Sequence, residues 1–257
     1  MLSPGQYRSA LYFLLLAVVV ALVPAFAIAQ PPTDPEQSAS RLMQPALRTI
    51  ERGLEFLAEQ QVEDGAFAAS GNGRNAAVCG LAGLALLTSG STAERGPYGS
   101  EVARVTDFLL EHTSDSGFVH VPEASLHGPM YGHGFATLFL AEVYGMWNRP
   151  ELRDKLSKAT DLIVRTQNEE GGWRYQPVRS DADLSVTICQ VMALRAARNA
   201  GIHVPSESID RCIEYVRRSQ NADGGFRYML RGGGDSRFPR SAAGVVALYS
   251  AGVDEGT

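Results

Sequence analysis

Hydrophobic positions fall along this chain in two rhythms. In the first, apolar residues recur every three to four positions with charges between them: Ile50, Leu54 and Leu57; Val102, Val105 and Leu109; Leu156, Ala159 and Ile163; Ile209, Ile213 and Val216. That spacing predicts four half-buried helices. In the second rhythm the apolar character runs all round. The segment from Ala76 to Leu87 has no polar face, and that from Ser241 to Ser250 has little. Such helices must be covered on most sides. The two kinds alternate, and no strand-like alternation of useful length competes with them. The prediction is all-α: helical hairpins whose outer helices wet one face while enclosed inner helices pack side by side. Small residues at Gly80, Gly83, Ala136, Ala193, Ala243 and Gly244 would let the inner helices approach closely.

Each outer helix ends on a similar tag. Gln61-Val-Glu-Asp-Gly-Ala-Phe67, Thr113-Ser-Asp-Ser-Gly-Phe118, Gln167-Asn-Glu-Glu-Gly-Gly-Trp173 and Gln220-Asn-Ala-Asp-Gly-Gly-Phe226 all run through a polar turn and a glycine to an aromatic. From Phe67 through Phe118 and Trp173 to Phe226 the spacings are 51, 55 and 53. A period of that size marks one supersecondary unit repeated, each burying its apolar face on its neighbours. The repeats are placed at about 46–92, 98–147, 150–201 and 204–253. Gly65, Gly171 and Gly224 supply the left-handed backbone that ends a helix. Gln61, Gln167 and Gln220 can pair their amides with exposed backbone groups at the turn. The second unit lacks the glutamine and reads as one residue shorter, so its turn is expected to be looser. The whole tag reads as scaffold.

With these residues in view the chain resembles the QW repeats of squalene-hopene cyclases and their relatives. Arg52-Gly53, Phe56-Leu57, Gln61, Gly65 and Phe67 fit the pattern, with Phe in place of Trp. Lys158-Ala159, Leu162-Ile163, Gln167, Gly171 and Trp173 fit more fully, and Arg211, Tyr215-Val216, Gln220, Gly224 and Phe226 fit again. The resemblance covers about 46 to 253 and implies the α/α-toroid shared by triterpene cyclases and protein prenyltransferase β-subunits. In that family five to seven hairpins close a ring. Four are counted here, so the ring is expected to be incomplete and the sequence truncated, with the flank of Val245, Leu248 and Tyr249 exposed at the open end.

The N-terminus reads differently. Arg8 is the only charged side chain before Asp34, Leu11 to Val23 is an unbroken apolar run, and Ala27-Ile-Ala29 has the small residues a signal peptidase reads. Residues 1–29 are therefore expected to be a secretory signal cut after Ala29, an uncleaved anchor being the alternative. Residues 30–45, rich in Pro, Ser and Gln, are expected to be a disordered linker, and 46–257 the repeat domain. The protein is placed outside the cytoplasm, periplasmic or secreted, and nothing after the signal approaches a transmembrane run. The formal charge is −5, or −6 once Arg8 is removed, which argues against nucleic acid as the partner. Cys79, Cys189 and Cys212 sit in helical runs and read as small buried side chains, one pair not excluded. No zinc-motif spacing occurs, so no metal or other cofactor is expected.

Candidate chemistry gathers where the inner helices begin. Arg74, Tyr131, His133, Asp181, Asp183, Arg237 and Arg240 lie there, and in a toroid those ends converge on one mouth. Arg74, Tyr131, His133, Arg237 and Arg240 are the candidate ligand-binding residues, suited with helix N-termini to an anionic group. His120, His127 and His133 form a loose cluster better read as polar mouth residues than as a metal site. Asp181-Ala-Asp183-Leu184-Ser185 resembles the Asp-x-Asp-Asp-Thr acid motif of squalene-hopene cyclases. The resemblance implies Asp183, with Asp181, as the catalytic acid that protonates an alkene. Leu184, however, stands where the family carries a polarising carboxylic acid, and Asp183 alone reads as a helix N-cap. The prenyltransferase zinc ligands have no match, because Cys189 is six residues beyond Asp183 and no histidine follows His203. Three functions stay open: a non-catalytic scaffold for a small apolar or anionic ligand or a protein partner, an isoprenoid cyclase or transferase, and a polysaccharide-processing enzyme. For the last, Gly171-Gly-Trp-Arg-Tyr175 would serve as a sugar-binding edge. The first is preferred.

Overall fold

The computed structural model describes residues 35–124 and 128–253. The expected signal peptide and its cleavage site, and His127 of the histidine cluster, lie outside these residues. Among them are eight α-helices: α1 Pro35–Gln60, α2 Ala76–Thr88, α3 Gly99–Glu111, α4 Pro129–Met146, α5 Pro150–Thr166, α6 Leu184–Asn199, α7 Ser206–Arg218 and α8 Phe238–Ala251. No strand longer than an isolated bridge is found among the described residues. None of the described helices is long and apolar enough to cross a membrane. Helix α1 starts at Pro35, inside the segment expected to be a disordered linker. Proline is tolerated in a first turn, where its missing N–H has no partner to lose, and Glu36, Gln37, Ala39 and Arg41 are good helix formers.

Backbone contacts separate residues 1–50 from 51–257, and the hairpin array belongs to the second unit. Its inner helices pack in chain order, α2 on α4, α4 on α6 and α6 on α8. Each outer helix between them seats on two inner ones: α3 on α2 and α4, α5 on α4 and α6, α7 on α6 and α8. Small residues set the inner spacing. A methyl group at Gly80 would stand 2.7 Å from the carbonyl oxygen of Phe135, and one at Gly83 2.5 Å from the Phe139 ring. The core follows these seams, with Phe108, Phe139, Trp173, Tyr215 and Phe226 among its largest buried side chains.

The tags hold the hairpins in register. The N–H of Val62, Ser114, Asn168 and Asn221 each donates to the carbonyl four residues on, at Ala66, Phe118, Gly172 and Gly225, over 2.7 to 3.0 Å. Gly65, Gly117, Gly171 and Gly224 turn the chain at φ between +81° and +96°. Two residues later Phe67, Val119, Trp173 and Phe226 are buried. The second tag is therefore not a residue short, and the backbone hydrogen bond across its turn matches that of the others. Its closing side chain is Val119 and not Phe118, and Thr113 takes the glutamine's place, as the matching bridges Thr113–Val119 and Gln220–Phe226 show. Phe118 stays half-buried, stacked on His120 at 5.1 Å. From Phe67 through Val119 and Trp173 to Phe226 the spacings become 52, 54 and 53.

Glutamine does more than close its own turn. Gln167 Nε2 donates to Gly171 O at 2.8 Å and to Ser208 O at 2.9 Å, the latter in the first turn of α7. Its Oε1 accepts from Arg211 of the same helix. Gln61 repeats this two junctions earlier, donating to Gly65 O and Glu101 O while accepting from Arg104 Nε. One amide thus ties a helix end to the next outer helix, satisfying the turn carbonyl of Gly65 or Gly171 on the way.

Candidate functional site

Asp183 stands at the start of α6 because the third tag leads the chain into it. The backbone N–H of Asp183 donates to Trp173 O at 3.0 Å, bringing the residue back against the closing tryptophan. With extended backbone, φ −131° and ψ 155°, Asp183 is the N-cap of α6. Its Oδ1 accepts from the Val186 N–H at 2.9 Å and from the Ser185 hydroxyl at 2.6 Å. This is the geometry an aspartate N-cap requires. Oδ2 is buried, has no hydrogen-bond partner, and lies 3.7 Å from Arg174 Nε, itself without one. Asp181 is partly exposed and bonded to Arg174 Nη1 and the Ser180 hydroxyl. One guanidinium therefore serves both carboxylates. Asp181 also lines a pocket of about 230 Å³ with Arg174, Tyr175, Gln176, Val178 and Ser180.

A group of tyrosines extends this cap towards the neighbouring inner helix. Tyr131, in the first turn of α4, hydrogen-bonds through its hydroxyl with Ser185 Oγ at 2.5 Å. Since Ser185 gives its own proton to Asp183, Tyr131 is the donor, and the chain runs from phenol to hydroxyl to carboxylate. Tyr175 and Tyr228 meet hydroxyl to hydroxyl at 2.6 Å, and the Tyr131 and Tyr175 rings lie 6.1 Å apart. Their backbones complete the two helix starts: Tyr175 O accepts from Met130 N and Tyr228 O from Leu184 N. Burial pushes the Tyr131 phenol up to about 12 and raises that of Tyr228 as well, so both stay protonated donors at neutral pH. One turn further along the same helix faces, Phe135 on α4 and Ile188 on α6 are half-buried apolar side chains, and Met192 follows a turn beyond.

The other expected site residues are not part of this cluster. Arg74 is committed to Asp64 at 2.6 Å, lies 3.8 Å from Glu123, and covers the Phe108 ring. Arg237 is exposed and Arg240 half-buried at the start of α8, and no hydrogen bond or ion pair links either to the tyrosines. His133 faces away from any opening. It is fully buried, its Nδ1 accepting from Val119 N and its Nε2 donating to Ala159 O, both at 3.2 Å. It ties the second tag to the outer helix α5, and burial lowers its pKa to about 4, so it is neutral. Thr187 and Ser241 do the corresponding work for Trp173 N and Phe226 N. The histidine between two glycines is therefore a structural residue and not a mouth residue. Among the described residues no three His, Cys, Asp or Glu side chains are grouped as a metal site needs.

Arg174, Ser185, Tyr175 and Tyr228 are the members that sequence reasoning missed or used otherwise. A signal was present: Tyr175 and Tyr228 each stand two residues after a closing aromatic, Trp173 and Phe226, so the last two repeats share a tyrosine where the first two have Ala69 and Val121.

The family model for the prenyltransferase alpha-alpha toroid domain matches this chain twice, over residues 38–158 and 146–255. No curated protein matches the chain.

Proposed function

The chain belongs to the prenyltransferase α/α-toroid family, and from that premise we propose that it is an exported binding scaffold with a degenerate catalytic site. Its ligand is an amphiphile, an apolar body with a hydroxyl or anionic head. The observation that carries this reading is the engagement of Asp183. Its carboxylate accepts at Oδ1 from the Val186 N–H and the Ser185 hydroxyl, and Oδ2 lies 3.7 Å from the Arg174 guanidinium. That environment suits an acceptor that fixes a helix and not an acid that must give its proton to carbon. Leu184 occupies the place of a second acid. Asp181 shares the same guanidinium, which leaves the polysaccharide reading without a second independent carboxylate.

The ligand class follows from what surrounds the cap. Tyr131, Tyr175, Tyr228 and Arg174 offer hydroxyls and positive charge, while Phe135, Ile188 and Met192 supply apolar surface one to two turns away. A few convergent polar groups above apolar walls are the usual build of a small-molecule site. The Leu11–Val23 run supports export.

The test pairs turnover with binding. The purified chain should give no product from squalene or from a prenyl diphosphate, yet bind a long-chain isoprenoid alcohol or its phosphate by calorimetry. Tyr131→Phe together with Tyr228→Phe should weaken that binding by about 3- to 10-fold per lost hydrogen bond. A cyclised product that vanishes in Asp183→Asn would overturn the scaffold reading in favour of a cyclase.

A further inference from the structure

The carboxylate of Asp183 is only half spent. Oδ1 holds the cap, but Oδ2 has no hydrogen-bond partner although the residue is fully buried. At 3.7 Å from it Arg174 Nε is also buried and without one. Buried polar atoms are almost always paired, so an acceptor and a donor left open side by side mark the place of a third group. That group must donate to Oδ2 and accept from Nε. A hydroxyl does both, with one O–H and two lone pairs.

The groups around this gap favour a donor over an anion. Tyr131 gives its proton to Ser185, and Ser185 its own to Asp183. Tyr175 and Tyr228 are bonded hydroxyl to hydroxyl. The cations lining the two pockets beside Asp181 are engaged as well: Arg174 with Asp181, Arg179 with Arg165 O, and Arg231 with Glu170. In the second of these pockets, of about 300 Å³, Glu169, Glu170 and Asp181 outnumber Arg179 and Arg231, a net charge of −1 (two cations against three anions). A phosphate head carries about −1.5 to −2 and offers acceptors, so it repels these carboxylates and leaves Oδ2 unserved.

Entry runs past Tyr228. Its carbonyl accepts from the Leu184 N–H at 2.9 Å, which lays the loop after the fourth tag over the start of α6. The Arg231 side chain, 86% exposed, ties that loop to Glu170 at 3.2 Å, and Gly232, Gly233 and Gly234 follow at positive φ. An exposed ion pair holds weakly, so the loop lifts at small cost to admit a head group to the enclosed oxygen.

Given the binding scaffold proposed above, on which this rests, we infer that Asp183 Oδ2 receives the ligand's hydroxyl, so that the site selects a neutral alcohol head and not a phosphate. The hydroxyl donates to Oδ2 and accepts from Arg174 Nε, and the apolar body lies towards Phe135 and Ile188. Asp183 then both caps α6 and positions the ligand.

Calorimetry of the purified chain with geranylgeraniol, its methyl ether and its monophosphate tests this choice of head. The ether keeps the apolar body and the accepting oxygen but has no proton to give. The alcohol should bind about 10-fold or more tightly than either, as one hydrogen bond to a charged group provides. Asp183→Asn keeps a good capping residue but sets an amide NH2 in place of Oδ2, so the alcohol should lose its advantage over the ether with helix content unchanged. If that variant does not fold, the three heads compared on the native chain still decide. Ether or phosphate bound as tightly as the alcohol overturns the inference and leaves the scaffold standing. So does a preference for the alcohol that survives Asp183→Asn, as when Oδ2 holds only a buried water. Binding of none of the three overturns the scaffold reading and the choice of head with it.

Discussion

Replacing Gln167 by alanine isolates what one amide contributes to the repeat junction. The side chain is fully buried and makes three hydrogen bonds: Nε2 to Gly171 O at 2.8 Å and to Ser208 O at 2.9 Å, and Oε1 from the Arg211 guanidinium. Truncation leaves Gly171 O and a charged donor without this partner and removes the second bond accepted by Ser208 O. A neutral hydrogen bond contributes about 1 kcal/mol and one to a charged group about 1.5–3 kcal/mol, so Gln167→Ala should cost about 3–5 kcal/mol. Gln220 holds the same motif position but is exposed and makes one such bond, to Gly224 O. Gln220→Ala should cost under about 1 kcal/mol. Urea unfolding followed by circular dichroism at 222 nm and by fluorescence of the buried Trp173 measures both. The comparison within one motif cancels helix propensity and composition, leaving the presence of the next outer helix as the difference. If both variants lose the same stability, the inter-hairpin bonds contribute nothing and the account of the junction is wrong.

His133 should make the fold acid-sensitive. Burial lowers its folded pKa to about 4 from an unfolded value near 6.5, so the neutral form is favoured in the fold. Its contribution is full above about pH 6.5 and is lost as pH falls through that value towards 4, up to about 3 kcal/mol. Unfolding measured from pH 7.5 to 4.5 should show a steeper fall for the native chain than for His133→Gln; parallel curves would contradict this assignment. The three cysteines are buried, and burial pushes each thiol up to about 12. An aromatic disulfide reagent should therefore release no thiol from the folded chain and three equivalents in denaturant; rapid labelling of any cysteine in buffer would refute that burial.

The repeat was legible because its physics is local. A helix face, a glycine that must turn left and a side chain that must be covered each leave a mark on neighbouring residues, so four hairpins could be counted from spacing alone. The second tag shows where that reading slips. Aligning Phe118 with the other aromatics by residue type moved its register by one, whereas hydrogen bonding aligns Gly117 and buries the smaller Val119. Backbone geometry, and not the kind of closing side chain, is what repeats.

The site was half legible. Asp183 as a cap could be read from sequence, because an N-cap bonds within its own first turn. That Tyr131 donates to Ser185, 54 residues away, and that Tyr175 meets Tyr228, 53 residues away, depends on how neighbouring hairpins are set against each other. So does the fate of His133, whose two nitrogens are taken by separate loops and helices. Sequence determined the helices, their two-layer alternation and the turn chemistry, since those forces act between residues a few positions apart. Which polar groups at the helix starts turn towards one another and which are spent on the scaffold was decided only when the hairpins packed. Contacts across some fifty residues of chain are set by the fit of whole faces and not by any local pattern.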